Sequence, residues 1–136
     1  MVNIIVHPNA RIDLDALWDL DEDTAAEIET ALEEIASDSR LADYLCRRKF
    51  RNYGEPDYEV DTFEKLQREG LNLYRLKFWD YQGALLSYRV LYAFYAQRDA
   101  YYILAVISRE HAYDTEHPLV QRVIADYDRL GIPAYK

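Results

Sequence analysis

An α+β fold is what this sequence predicts: an N-terminal strand, a helical hairpin packed on one face of a mainly antiparallel sheet of four or five strands, and a C-terminal helix. Three observations predict it. Apolar residues recur at helical spacing only near the two ends of the chain; aromatic and β-branched runs bounded by turn signals fill residues 58–108; and the connections between those runs are too short for parallel crossovers. Residues 2–7 read as a short strand closed by Pro8 and Asn9. Residues 11–20, with Ile12, Leu14, Leu17, Trp18 and Leu20, read as a short helix. In residues 24–37 Thr24 and Glu27 have capping-box spacing, and Ile28, Leu32 and Ile35 follow at helical intervals with glutamates opposite, so an amphipathic helix is expected. Residues 40–50 read as a third helix burying Leu41, Tyr44 and Leu45, broken before Gly54 and Pro56.

Four strands are expected next, at 58–66, 73–79, 87–95 and 101–108. In the second, Tyr74, Leu76 and Phe78 share one face while Arg75 and Lys77 stand side by side on the other. Tyr88, Tyr92, Tyr95, Tyr101 and Tyr102 are expected in the core and in cross-strand pairs. A last helix opens at Pro118, a residue suited to the first helical position, and stops before Gly131 and Pro133. Helices on one face leave the other face of the sheet open in this scheme.

The chain of 136 residues is 50% hydrophobic and 30% charged with 4 Gly and 4 Pro, which predicts one globular domain over residues 1–136 and excludes a collagenous or low-complexity chain. Cys46 alone cannot make an internal disulfide, the apolar run 4–6 is too short for a signal segment, and no stretch reaches the roughly 18 apolar residues of a membrane span. A reduced cytoplasmic protein without a membrane partner is the expectation. The formal charge of −9 is uneven: residues 1–45 hold 12 acids and 2 bases, whereas residues 46–115 hold 10 acids and 11 bases. A surface that meets phosphate therefore has to come from the middle of the chain.

No glycine-rich phosphate loop, no Gly-x-Ser-x-Gly and no His or carboxylate pair at metal spacing is present, so neither metal nor cofactor is expected. His7 and His117 flank chain breakers and read as surface residues. Ser108-Arg109-Glu110-His111-Ala112-Tyr113-Asp114 leaves the end of an apolar strand and presents three functional side chains within five residues. Arginine offers a fork for phosphate, tyrosine can stack on a base or move a proton, and imidazole titrates near neutrality.

The runs Leu-Tyr-Arg-Leu-Lys-Phe-Trp-Asp-Tyr, Ser-Tyr-Arg-Val-Leu-Tyr and Tyr-Ile-Leu-Ala-Val-Ile-Ser-Arg-Glu-His-Ala-Tyr, together with the helical hairpin of residues 18–37, resemble the RelE/ParE toxin superfamily over most of the chain except residues 40–59. The resemblance implies a toxin of a toxin–antitoxin pair that cleaves messenger RNA in the ribosomal A site through the RNA's own 2′-hydroxyl, without metal. By position, Arg75, Arg109 and Tyr113 match the family's functional residues, with the arginines clamping phosphate and the tyrosine stacking on the base or moving a proton. Lys65 falls where the family places a lysine, while one of the usual basic pair is Phe63; His111 is a candidate base or acid. Lys77, Arg68 and the cluster Arg47, Arg48, Lys49 are candidate RNA contacts, and Arg89 is either an RNA contact or an anchor for a carboxylate or backbone carbonyl across the sheet. The expected partners are a cognate antitoxin and the ribosome. ParE-like relatives that bind DNA gyrase without cleaving RNA, or a degenerate member that only binds a partner, are the alternatives.

Overall fold

A computed structural model describes residues 3–133. Its elements run β1 (Asn3–Val6), α1 (Pro8–Leu20), α2 (Glu22–Ser37), α3 (Ser39–Asp43), β2 (Arg51–Asn52), β3 (Tyr58–Thr62), α4 (Glu64–Arg68), β4 (Leu73–Trp79), β5 (Leu85–Tyr95), β6 (Ala100–Ser108) and α5 (Pro118–Leu130). The expected α+β architecture is present. Six strands form one sheet in the order β1-β6-β5-β4-β3-β2, in which β1 and β6 run parallel and every other pair antiparallel. Among the described residues no helix is long and apolar enough to cross a membrane.

Local chemistry sets the helix ends. Pro8 and Pro118 open α1 and α5, and in each case the preceding histidine is the cap: His7 Nδ1 accepts from the Asn9 amide at 3.0 Å and His117 Nδ1 from the Leu119 amide at 3.1 Å. Gly131 ends α5 at φ 72°, a left-handed conformation that suits glycine. The start of α2 differs from the expected capping box, because Asp21 is the cap and accepts from both the amide and the hydroxyl of Thr24. Those two bonds hold the Asp21 carboxyl below its ordinary pKa, the side-chain bond contributing most. Asp21→Ala is expected to cost about 1 kcal/mol at neutral pH. A carboxyl with a depressed folded-state pKa contributes stability above its unfolded pKa and loses it as pH falls through the folded value. Denaturant melts of both proteins should therefore differ at about pH 7 and converge towards about pH 2; a gap of the same size at both would show that the cap acts without its charge.

The starts of α1, α2 and β5 lie two or three residues before the expected ones, and two later boundaries differ more. The strand anticipated at 58–66 stops at Thr62, and α4 takes over, because Glu-Lys-Leu-Gln-Arg favours helix and lets Phe63 and Leu66, three apart, turn to the same side. The helix anticipated at 40–50 ends at Asp43 and continues as a 3-10 turn, Tyr44–Cys46, before Arg51 and Asn52 add a two-residue strand beside β3. Val2, where the first strand was expected to begin, lies outside the described residues.

The sheet is covered on both faces. On one, Leu14, Leu17, Ile28 and Ile35 of the helical hairpin pack on Tyr58, Leu76, Tyr92 and Ile103. On the other, Val120, Val123 and Tyr127 of α5 pack with Phe63 and Leu66 on Leu73, Leu91, Leu104 and Ile107. The second face is therefore not open as the sequence suggested: the apolar stripe of α5 needs a surface, and the central sheet supplies it. Tyrosines pair as anticipated, Tyr74 stacking on Tyr92 at 5.4 Å and Tyr95 meeting Tyr102 at 6.5 Å.

A polar seam joins the helices of the two layers. Asn9 and Asp13 of α1 face Asp126 and Arg122 of α5, four residues apart on each helix. Asn9 donates to the buried Asp126 at 2.8 Å, and Arg122 donates to both Asp13 oxygens at 2.9 and 2.6 Å. The ladder between β1 and β6 ends with the His7 amide donating to Ile103; beyond it Asp13 accepts from the Val106 amide at 3.1 Å and Arg122 donates to the Leu104 carbonyl at 3.3 Å.

Candidate functional site

The charged residues of the central strands meet on the α5 face because their two-residue spacing matches across the antiparallel register. Asp61 sits opposite Arg75, Glu59 opposite Lys77, and Lys77 opposite Arg89. Arg75 is 5% exposed. Its Nη2 donates to Asp61 Oδ2 at 3.3 Å and to the Thr62 carbonyl at 3.1 Å, and Nη1 reaches the Ala112 carbonyl at 3.5 Å. Its guanidinium carbon lies over two rings, 3.6 Å from the centroid of Tyr113 and 4.8 Å from that of Phe63, while Nε is buried without a partner. Burial lowers the Arg75 pKa, Tyr113 and Asp61 oppose the shift, and the neighbouring cation of Arg89 adds to it. Lys77 is half-buried, 3.8 Å from Glu59 and 4.0 Å from Asp61.

Arg89 is different. It is 4% exposed, and Nη1 donates to the backbone carbonyls of Leu86 and Tyr88 at 2.9 and 3.2 Å, while Nε is buried without a partner. Among the described residues no carboxylate lies within ion-pair distance of it. The carbonyls it reaches belong to its own strand, β5, and not to a strand across the sheet as expected, and no carboxylate accompanies them. A guanidinium held in this way is a charge kept in the protein without a counter-ion, which costs stability.

At the end of β6 the Arg109 amide donates to the Ser87 carbonyl at 2.8 Å and carries the ladder one step further. The Arg109 side chain is exposed, with no side-chain partner among the described residues. The chain then folds back as turns over the α5 face. His111 stacks on His117 at 4.3 Å, Tyr113 lies half exposed over Arg75, and Lys65 of α4 donates to the Thr115 hydroxyl at 3.1 Å. The structure thus brings Lys65, Arg75, Arg109, His111 and Tyr113 onto or beside one short segment, residues 109–117, next to the Lys77–Arg89 pair.

It does not bring the remaining basic residues there. Arg48 and Arg68 both pair with Glu64, and Arg47 lies over the ring of Tyr44 at 4.8 Å. Arg48 and Arg68 border an open groove of about 470 Å³ with Cys46, Thr62 and Tyr74. Lys49 takes a left-handed φ of 67° in the turn between them and β2.

Four participants were not identified from sequence: Asp61, Glu59, Phe63 as a stacking ring, and Thr115. The first two were legible in principle, since Glu59-x-Asp61 and Arg75-x-Lys77 have the same two-residue spacing and adjacent strands align such pairs. Phe63 and Thr115 depend on tertiary placement and carry no local signal. Among the described residues no group of three or more His, Cys, Asp or Glu is placed to hold a metal ion. Compared with protein-family models, curated proteins and solved structures, the chain finds no match.

Proposed function

We propose that the protein is a ribosome-dependent messenger RNA endonuclease acting through 2′-hydroxyl attack, the toxin of a pair whose other member is a small antitoxin protein. The observation that carries the reading is Arg89: a buried guanidinium without a carboxylate, opposite Lys77 and near the unpaired Arg109 and the half-exposed Tyr113. A site that keeps a cation in this state is organised for an incoming anion, and a phosphodiester is the anion that the resemblance to RelE-like toxins supplies. In the reaction a base removes the 2′-proton, the oxygen attacks the adjacent phosphorus, and an acid protonates the departing 5′-oxygen. Arg89, Lys77 and Arg109 would hold the phosphate and balance the charge of the pentavalent state. Tyr113 and His111 are the groups available for proton transfer. The acidic α2 packs on the opposite face of the sheet, which keeps its field away from the RNA.

Inducible expression in a bacterium tests this, with growth and message ends as readouts and an Arg89→Met, Arg109→Ala, Tyr113→Phe variant beside the wild type. Arrest with new cuts inside translated codons, absent from the variant, is the expected result. Arrest with intact messages would overturn the nuclease and favour a protein target such as gyrase, and no arrest at all would overturn the toxin.

A further inference from the structure

Arg75 is the residue whose role the geometry changes. The family resemblance makes it a phosphate clamp, yet both its terminal nitrogens are already engaged, while Nε is buried without a partner. Nη2 serves Asp61 and Thr62, Nη1 serves Ala112, and the guanidinium carbon lies over the rings of both Tyr113 and Phe63. Unlike Arg89, this arginine can turn its terminal nitrogens to a phosphate only by giving up an ion pair with Asp61 and two carbonyl bonds. What it holds instead is residues 109–117: the Ala112 carbonyl and the Tyr113 ring are the two contacts by which the middle of that segment is fastened to β4.

We infer that Arg75 is a positioning residue, which seats the Tyr113 ring and the segment carrying Arg109 and His111 against the sheet, and is not a phosphate ligand. The other contacts of the segment lie to either side of it: the Arg109 amide on Ser87, the His111 stack on His117, and Thr115 under Lys65. Between residues 111 and 115 Arg75 supplies the polar tether, beside the Ala112 methyl buried in the core. A planar guanidinium 3.6 Å over the Tyr113 ring can stack on it and set its tilt as well as its distance, which an ammonium in the same place does not do. Because a phenol moves a proton or meets a base only at a set angle, the effect of the tether falls on the chemical step more than on RNA affinity.

The inference rests on the nuclease reading for its kinetic arm only. Hydrogen exchange by mass spectrometry on the full chain is compared for wild type, Arg75→Met and Arg75→Lys, alongside cleavage of messenger RNA on programmed ribosomes. In Arg75→Met, amides of residues 109–117 are expected to exchange about tenfold faster or more, with the peptides of β4 and β5 unchanged. kcat is expected to fall about 100-fold with KM within about twofold of wild type. Arg75→Lys, which keeps the charge and loses the plane, is expected to recover protection in part. Unchanged exchange over 109–117 in folded Arg75→Met overturns the inference, and so does a rise in KM with kcat unchanged, the signature of a lost phosphate contact. If Arg75→Met fails to fold, Tyr113→Leu removes the tether from the other side and should give the same local exchange; protection equal to wild type there overturns it as well. If the wild type cleaves nothing, the nuclease reading falls and the exchange arm alone decides whether Arg75 holds the segment.

Discussion

Arg89→Met is expected to abolish most message cleavage, by about 100- to 1000-fold in kcat, while leaving the protein as stable as wild type or more so. Under the proposed function, the kinetic part follows from removing a cation that would balance developing phosphate charge, an effect of roughly 3–4 kcal/mol in water-excluded sites. The stability part follows from the environment: Arg89 is almost fully buried, has no carboxylate partner and leaves its Nε unsatisfied, so an unbranched apolar side chain of similar length relieves a desolvation cost. The bonds it gives up go to two backbone carbonyls, Leu86 and Tyr88. Thermal melts beside cleavage assays check both halves. Loss of activity with an unchanged or raised Tm marks a residue kept for function against the interest of the fold. A fall in Tm of more than a few degrees would instead make Arg89 a structural anchor and withdraw the observation on which the proposed function stands.

Asp13→Ala should produce the largest loss of stability of any single polar substitution discussed, about 3 kcal/mol. Three donors converge on one carboxylate that is 9% exposed: both terminal nitrogens of Arg122 and the Val106 amide. The carboxylate raises the Arg122 pKa through this bond, against the opposing effect of burial. Truncating the acid strands a partly buried cation and a backbone amide together, and the cost of unsatisfied groups exceeds the net worth of the bonds. Arg122→Met is expected to cost only about half as much, because Asp13 keeps the Val106 amide and still reaches water. In a double-mutant cycle the two changes should couple by about 1 kcal/mol or more. Urea melts giving an Asp13→Ala loss below about 0.5 kcal/mol would show that solvent replaces the pair.

The elements that reached the page from sequence alone are those with a period. The residues 120, 123 and 127 of α5, the alternation of β4 and the paired runs of β5 and β6 each declare one face, and proline and glycine mark where they end. What periodicity cannot state is which face of the sheet a helix will choose. The second layer was therefore missed, and with it the burial of Arg75. The site was half legible for the same reason: Arg75, Arg109 and Tyr113 could be named from their neighbours along the chain, but Asp61, Phe63 and Thr115 approach them from β3, its exit and the α5 entry, at separations of 14 residues for Asp61 to Arg75 and 50 for Lys65 to Thr115. Short five-residue α4 fell below the length at which a helical pattern separates from a strand pattern.

The seam between α1 and α5 also bears on how copies of this chain meet one another. A four-residue β1 leaves the outer half of β6 without a strand beside it, and an uncovered row of amides and carbonyls is a template onto which a second sheet can grow. Here the Val106 amide is taken by Asp13 and the Leu104 carbonyl by Arg122, so two side chains do the work of the missing strand. The opposite margin is guarded by brevity: β2 is two residues long, and its Arg51 is held by Asp57 and lies 3.5 Å over the ring of Trp79. Opening the seam would thus do more than loosen the helices. It would expose a sheet margin rich in valine, leucine and isoleucine, and convert this α+β domain into one prone to join its neighbours strand to strand.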